Sequence, residues 1–475
     1  MLKLTAAVDF GSTYTKVAAF DLEKKILVGT ARAKTTVESN IAVGLKKALK
    51  QLEGDLRYKN REFHIERMLS CSSAAGGLRM IVIGLTKALT TKAAGEAVLG
   101  AGAKLIDTYS YRLVPDDIKD IEAKEPDLIL LAGGTDGGDE KNIIQNAQLL
   151  AQCQLKSPII IGGNKSAAHK VRAIFKKVDK YAVIAENILP ELERLNIEPA
   201  RKIIREIFIE RITHAKGLDN AREIVGNIIM PTPMAVLNGA ELLSKGTKEE
   251  EGWGDLLLVD VGGATTDVHS IGYGHTSQTN TIVKGLAEPF AKRTVEGDLG
   301  IRYNASLIIE KFGEKEILKK LSYYKSRICQ REMDINSYIK HVSRKVEHVA
   351  QNEEESLIDI ALASKAVETA IQRHAGKIEE VYFPTGKVRV QYGKDLSRFN
   401  RIIGTGGIVA YSQNPGWILE SACFDASRPE SLRPVSPQFF VDENYILFAV
   451  GLLSEFAPTK ALRIIKKYLR FLTGL

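Results

Sequence analysis

Two short stretches limit what this 475-residue chain can fold into more than anything else in it. Near the amino terminus runs Val8-Asp9-Phe10-Gly11-Ser12-Thr13-Tyr14-Thr15-Lys16, and past mid-chain runs Val259-Asp260-Val261-Gly262-Gly263-Ala264-Thr265-Thr266-Asp267. Each breaks an apolar run with Asp, Gly, Ser and Thr, then leads into a second apolar stretch, Val17 to Phe20 or Val268 to Ile271. That pattern predicts two β-hairpins with polar, glycine-bearing tips. In the first tip Gly11 lets backbone N–H groups approach an anion, Ser12, Thr13 and Thr15 add hydroxyl donors, and Lys16 supplies a cation for a β- or γ-phosphate. Consecutive amides in such a turn form an anion nest. Asp9 repels phosphate, so its expected role is to hold a magnesium ion through water. The second tip has no lysine; Asp260 and Asp267 flank Gly262, Gly263, Thr265 and Thr266. Three carboxylates on facing tips, Asp9, Asp260 and Asp267, would repel one another unless a divalent cation lay among them. Singly, each tip matches an ordinary Gly/Ser/Thr turn; as a pair they predict a clamp on a polyphosphate and its metal.

A third element, Ile402-Ile403-Gly404-Thr405-Gly406-Gly407, reads as a strand entering a glycine turn that opens a helix. Adenine or ribose could pack there on bare backbone. Rossmann domains and simple tight turns give the same pattern, so its weight comes from its place after the two tips. No GxxxxGK[ST], HExxH or GxSxG occurs, which excludes a P-loop ATPase and the metalloprotease and hydrolase motifs. His341 and His348, seven apart, read as a solvated helix face. The basic residues among Leu and Ile from 460 to 475 predict a packed amphipathic end helix.

The material between these motifs alternates short apolar strands with helices. A strand at 25–31 precedes a helix from about Asn40 to Leu52. A strand at 125–132 ends in Gly133-Gly134-Thr135-Asp136-Gly137-Gly138-Asp139, a helix starts near Glu140, and a strand at 158–161 ends in Gly162-Gly163. Residues 186–226 read as charged and helical, and 335–376 as long helices. This rhythm predicts α/β folding with parallel strands and two similar lobes: 1–244, with inserted α/β material over about 56–226, and 245–475. Composition is globular, with 44% hydrophobic and 26% charged residues. An excess of 66 Lys and Arg over 58 Asp and Glu is small and spread along the chain, so nucleic acid is not an expected partner. No apolar run approaches the roughly 20 residues of a membrane helix, the amino-terminal run is too short for a signal peptide, and Cys71, Cys153, Cys329 and Cys423 are far apart without a CxxC pair. A cytoplasmic protein with reduced thiols, not bound to membrane, is expected.

These residues resemble a known superfamily. Asp9-x-Gly11-Ser12-x-x-x-Lys16 resembles the first phosphate motif of actin, sugar kinases and DnaK-type chaperones, and Asp260 to Asp267 resembles the second, close to the chaperone form. Pro231 to Ala240 is similar to the connecting helix before that second motif, Gly404-Thr405-Gly406-Gly407 to the adenosine motif, and Asn444 to Leu453 to the last connecting helix. From about residue 4 to 455 the chain resembles the MutL/GlmL family of mutase accessory proteins. The more specific marks are Ser72 to Met80, Leu131 to Gly138 and Lys292 to Gly300. The name is shared by accident with the mismatch-repair MutL, whose motifs are absent here. The resemblance implies a two-lobed actin-like ATPase fold with α/β insertions in the first lobe, and ATP and Mg2+ between the lobes. It implies that Ser12, Thr13 and Lys16 contact the phosphates from one lobe and Gly262, Gly263, Thr265 and Thr266 from the other. Asp9 and Asp267 would order magnesium waters, Asp260 would orient the attacking water, and Gly404 to Gly407 would pack on the adenosine. A further lysine that DnaK-type chaperones use for hydrolysis has no placed equivalent. The implied function is an ATP-hydrolysing chaperone that reactivates an adenosylcobalamin-dependent mutase, of glutamate mutase or aminomutase type, by exchanging damaged cofactor. The alternatives on the same fold are a small-molecule kinase, for which no sugar-kinase signature is present, and an ATP-dependent filament or scaffold protein.

Overall fold

Strand β1 (Leu2–Phe10) is buried at every position from Leu4 to Phe10, and a strand buried on both faces has to lie inside a covered sheet. The computed structural model that shows this describes residues 2–11, 13–36, 41–58, 62–73, 78–212, 224–226, 228–276, 281–325, 334–384 and 386–473. The chain forms two units. One comprises Met1–Gly239, Gly285–Pro289 and Phe448–Lys460; the other comprises Ala240–Lys284, Phe290–Leu447 and Ala461–Leu475.

The first unit continues with β2 (Tyr14–Asp21), β3 (Ile26–Lys34), β4 (Phe63–Ser72), β5 (Arg79–Gly84), β6 (Lys104–Ser110), β7 (Leu128–Leu131), β8 (Ile159–Ile161), β9 (Ala182–Ile184) and β10 (Ile228–Pro231). Its main sheet has the order β10-β4-β1-β2-β3. β1, β2 and β3 form an antiparallel meander, while β4 and β10 add parallel on the other side of β1. Parallel neighbours need crossover connections. The longest, between β4 and β10, holds a second sheet, β6-β5-β7-β8-β9, in which every described pairing is parallel. Ile81, Ile83, Ile129, Leu131, Ile159 and Ile161 make its strands apolar on the face that Val171 and Phe175 cover.

The second unit contains β11 (Leu256–Val261), β12 (Thr266–Ile271), β13 (Thr281–Lys284), β14 (Ala291–Glu296), β15 (Lys377–Phe383), β16 (Gly386–Tyr392), β17 (Arg401–Thr405), β18 (Gln438–Val441) and β19 (Arg470–Phe471). Its main sheet runs β14-β12-β11-β17-β18-β19. Again the first three strands in the chain, β11, β12 and β14, are antiparallel, and β17 and β18 add parallel beyond β11. Apart from the two-residue edge strand β19, this is the order of the first unit's sheet. A small sheet, β13-β16-β15, stands apart from it.

Two helical expectations are corrected. Of residues 186–226, the long helix is Glu198–Ile212; residues 186–197 are loop, with Asn187 folding back to accept the Leu189 N–H, and 213–223 lie outside the described residues. The stretch 335–376 is two helices, Ile335–Arg344 and Glu353–His374, because Asn352 caps the second by accepting the Glu355 N–H. His348 therefore sits past the first helix, bonded to Glu355 at 2.8 Å and 3.3 Å from His341, rather than on one face with it. The last helix, Pro458–Tyr468, buries Ala461, Leu462, Ile464 and Ile465, and its Arg463 and Lys466 bond Glu250. No helix among the described residues is long and apolar enough to cross a membrane.

Two packing details have measurable consequences. The helices Thr232–Lys245 and Leu447–Ser454 touch at Gly451, where a Cβ would fall on the Ala235 carbonyl. Gly451→Ala is expected to destabilise the protein by about 1–3 kcal/mol through overpacking, read as a lowered midpoint in urea. His269 and His374 are buried beneath the second unit's sheet, His374 between the hydroxyls of Thr294 and Ser270. Burial pushes His269 down to about 3 and His374 well below its ordinary value. Both stay neutral in the fold and charge on unfolding near pH 6.5, so the unfolded chain binds more protons. Stability is then full above about pH 6.5 and falls on acidification, by at most about 1.4 kcal/mol per pH unit for each group. Urea midpoints at pH 7.5 and pH 5 should show the loss, and His269→Gln with His374→Gln should flatten it.

Candidate functional site

The first hairpin's turn is closed by the Gly11 N–H donating to the Tyr14 carbonyl at 3.1 Å. A Cβ at Gly11 would lie 2.7 Å from that same carbonyl, so the turn requires glycine. The resulting register sets Asp9 opposite Lys16 and Phe10 opposite Thr15. Lys16 Nζ lies 3.4 Å from Asp9 Oδ2. Asp9 is buried, and its Oδ1 accepts a 2.6 Å hydrogen bond from the Thr232 hydroxyl. The Cys71 thiol reaches the same oxygen at 3.8 Å; burial and the Asp9 charge push that thiol well up, so it stays protonated. Thr13 is half-buried and its carbonyl takes the Thr35 N–H. Ser12 lies outside the described residues. Thr15 points inward, fully buried, with its hydroxyl 3.1 Å from that of Thr35. Strand alternation sends its side chain to the core face, so the expected phosphate donor is occupied inside the unit.

The second hairpin repeats the geometry. Gly262 N–H donates to the Thr265 carbonyl at 2.9 Å, and Asp260 stands opposite Asp267. Thr266, at the place equivalent to Thr15, is likewise buried and donates to the Leu299 carbonyl at 2.8 Å. The substantive difference is Asp267 where the first hairpin has Lys16. Like charges directly opposite each other destabilise a sheet. Arg293 on β14 offsets this, donating to Asp267 Oδ2 from Nη2 at 2.6 Å and Nε at 3.2 Å. The other oxygen, Asp267 Oδ1, is buried and has no hydrogen-bond partner among the described residues. Gly263 and Thr265 are half-buried at the tip. The Gly263 carbonyl takes the N–H groups of Arg302 and Tyr303, both at 2.9 Å. Arg302 in turn makes a bidentate pair with buried Asp359 at 2.8 and 2.6 Å, which ties the tip to the helix Glu353–His374.

The glycine turn after β17 reaches this second tip. Parallel pairing sets Asp260 beside Thr405. Gly406 has φ +94, and a Cβ there would lie 2.8 Å from Asp260 Oδ1 and on the Val261 carbonyl. Only glycine permits that approach. Gly404 is packed under Val409 and Leu419, and Gly407 is exposed with open space around it. Thr405 is buried, and its hydroxyl donates to Asp442 Oδ2 at 3.4 Å. Asp442 also accepts the N–H groups of Ile446 and Leu447. Within the first unit the structure thus gathers Asp9, Gly11, Thr13 and Lys16; within the second it gathers Asp260, Gly262, Gly263, Thr265, Asp267, Gly406 and Gly407. The hydroxyls of Thr15, Thr266 and Thr405 serve the interior. Sequence reasoning missed Thr232, Arg293, Arg302 and Asp442. Arg293 falls inside a stretch that marked the family resemblance, but its role needed the β12–β14 register, which sets it opposite His269.

Two sheets of one strand order, each with an Asp-and-glycine turn on its first hairpin, define an actin-like α/β protein, here with an inserted parallel sheet in the first unit. The chain belongs to the MutL family: the family model described as MutL protein matches residues 5–469. Protein MutL of Clostridium tetanomorphum is 46% identical over 462 residues, 97% of this chain and 98% of that one. Among solved structures, xylulose kinase from Bifidobacterium adolescentis matches at 11% identity with TM-score 0.33, covering 99% of this chain and 96% of that one. Gluconate kinase from Lactobacillus acidophilus matches at 9% with TM-score 0.36, covering 100% and 93%. Superpositions this loose decide nothing; the actin-like assignment stands on the duplicated strand order.

Arg293→Met should strand Asp267 beside Asp260 and cost about 3–5 kcal/mol, as breaking a buried ion pair does. Asp267→Asn added to it should recover part of the loss in urea unfolding. A double variant no more stable than Arg293→Met would refute the pairing.

Proposed function

We propose that this MutL-family protein binds ATP with magnesium, hydrolyses it, and uses the cycle to reactivate an adenosylcobalamin-dependent mutase of glutamate mutase or aminomutase type by releasing damaged cofactor. The observation that carries the nucleotide reading is the repeated hairpin, with Asp9 and Asp260 at one register position, each two residues before a turn that glycine alone can make. In this reading the turns at Gly11 and at Gly262 and Gly263 present backbone N–H groups to phosphate oxygens, and Thr13, Thr265 and Lys16 add donors. Ser12 keeps its expected place among them. Lys16 lies against Asp9 and exchanges that partner for phosphate. Gly406 and Gly407 offer adenosine a surface without side chains, with Gly404 and Thr405 as its support.

The residues fit a hydrated divalent cation. Asp267 Oδ1 is a buried oxygen with no hydrogen-bond partner among the described residues, and Asp9 and Asp260 are further carboxylates on the same kind of strand. When bound, Mg2+ neutralises charge on the transferring phosphoryl group. Asp260 accepts a proton from, and orients, the attacking water. Thr232 positions Asp9 through its 2.6 Å hydrogen bond. Catalysis by such a set is placement plus electrostatics. The mutase partner is supported by family membership. Unbridged thiols at Cys71, Cys153 and Cys423 support a reducing compartment such as the cytoplasm.

Asp260→Ala should leave ATP binding measurable and lower phosphate release at least about a hundredfold. A candidate mutase inactivated in the presence of its substrate should recover activity when given this protein, ATP, Mg2+ and fresh adenosylcobalamin. Recovery that is equally good with a non-hydrolysable analogue, or with Asp260→Ala, would overturn the reading.

A further inference from the structure

The turn of the second hairpin is gripped from one side by residues 300–304. The Gly262 carbonyl accepts the Ile301 N–H at 3.2 Å, and the Gly263 carbonyl accepts the N–H groups of Arg302 and Tyr303, both at 2.9 Å. The Ala264 carbonyl accepts from Asn304 Nδ2 at 2.9 Å. A Cβ at Gly300 would lie 2.2 Å from the Ala264 carbonyl carbon, so glycine is what lets the segment come this close. One brace thus takes three consecutive carbonyls of the turn, and the Arg302 guanidinium anchors it on Asp359.

That grip decides where the donors of the turn go. In a planar trans peptide the C=O points opposite to the N–H of the next residue, and no cis peptide is present. Carbonyls 262, 263 and 264 drawn to the brace therefore turn the N–H groups of Gly263, Ala264 and Thr265 to the other side. None of these three N–H groups has a hydrogen-bond partner among the described residues. Gly263 and Thr265 are half-buried and Ala264 is exposed, so the donors lie at the surface of the turn. Consecutive amides offered in this way suit an anion.

Asn304 is the informative member of the brace. It precedes the helix Ala305–Phe312, where an asparagine ordinarily caps by accepting an N–H of the first turn. Its side chain makes no such bond. The amide nitrogen instead spans two carbonyls, Ala264 at 2.9 Å and Gly297 at 2.6 Å. The first hairpin has the equivalent bond: Thr13, at the place of Ala264, gives its carbonyl to the Thr35 N–H at 2.9 Å. There the donor is backbone, whereas in the second hairpin it is a side chain that one substitution removes.

We propose that Asn304 is a positioning residue for phosphate binding at the second hairpin. With the backbone of residues 301–303 it holds three carbonyls back, so that the N–H groups of Gly263, Ala264 and Thr265 meet the phosphate oxygens of a nucleotide together. This rests on the nucleotide reading above and adds to it the residue that sets the donors.

Amide spectra of the 15N-labelled full-length protein, titrated with ATP and Mg2+, test it. The Gly263, Ala264 and Thr265 resonances should move saturably in the wild type. Asn304→Ser keeps a residue suited to a helix N-cap, so its urea midpoint should match that of the wild type. It should shrink those three shifts and raise the Kd for ATP at least about fivefold, the worth of one hydrogen bond. ATP binding by the wild type that leaves the three amides unmoved would overturn the proposal and leave the nucleotide reading standing, whether or not the variant folds. A folded Asn304→Ser protein that binds ATP as tightly as the wild type would do the same. No ATP binding by the wild type would overturn both.

Discussion

Everything at the candidate site depends on one backbone hydrogen bond made twice, from the Gly11 and Gly262 N–H groups to carbonyls three residues on. Each bond closes a turn too tight for a Cβ, and the closure sets the register of the hairpin behind it. Register then decides which side chains face one another. In the first hairpin it sets Asp9 against Lys16, an attractive pair, and in the second it sets Asp260 against Asp267, a repulsive one. The remaining local structure answers these two pairings. Thr232 and the Cys71 thiol close around Asp9, and Arg293 relieves Asp267.

The same constraint separates groups that face the turn from groups that serve the fold. Thr15 and Thr266 are equivalent, both buried, both one step inside the turn, and both bonded to neighbouring segments. Strand alternation sends them to the core while Asp9 and Asp260, at neighbouring positions, take the other side. Thr405 follows the same logic and supports Asp442, which holds the first N–H groups at the start of the helix Leu447–Ser454. Counting hydroxyls in a polar tip therefore overstates the donors available to a ligand. The rigid part of each tip is backbone, and Arg302 with Asp359 stiffens the second one from behind.

Much of the fold was legible because its signals are local. Apolar runs ending in Asp and Gly marked the first strands of both hairpins, and Gly404 to Gly407 marked the end of β17. The inserted parallel sheet was visible in Leu128 to Leu131 and Ile159 to Ile161, short runs buried on both faces. The misreadings also have local causes. Charge density over 186–197 suggested a helix, but Asn187 and Pro190 are used in a loop that packs on residues 134–136. The seven-residue spacing of His341 and His348 suggested one helical face, but the asparagine cap at 352 starts a new helix and breaks the run.

Sequence alone determined the two turns, the carboxylates beside them and the glycine turn at 404–407, because each is dictated by sterics or charge within a few consecutive residues. Tertiary structure decided which hydroxyls turn inward and that Arg293 rather than a lysine accompanies Asp267. Those outcomes rest on strand register and on packing between segments tens to hundreds of residues apart. No short-range pattern encodes such pairings, since a shift of one residue would reverse every side chain on the strand.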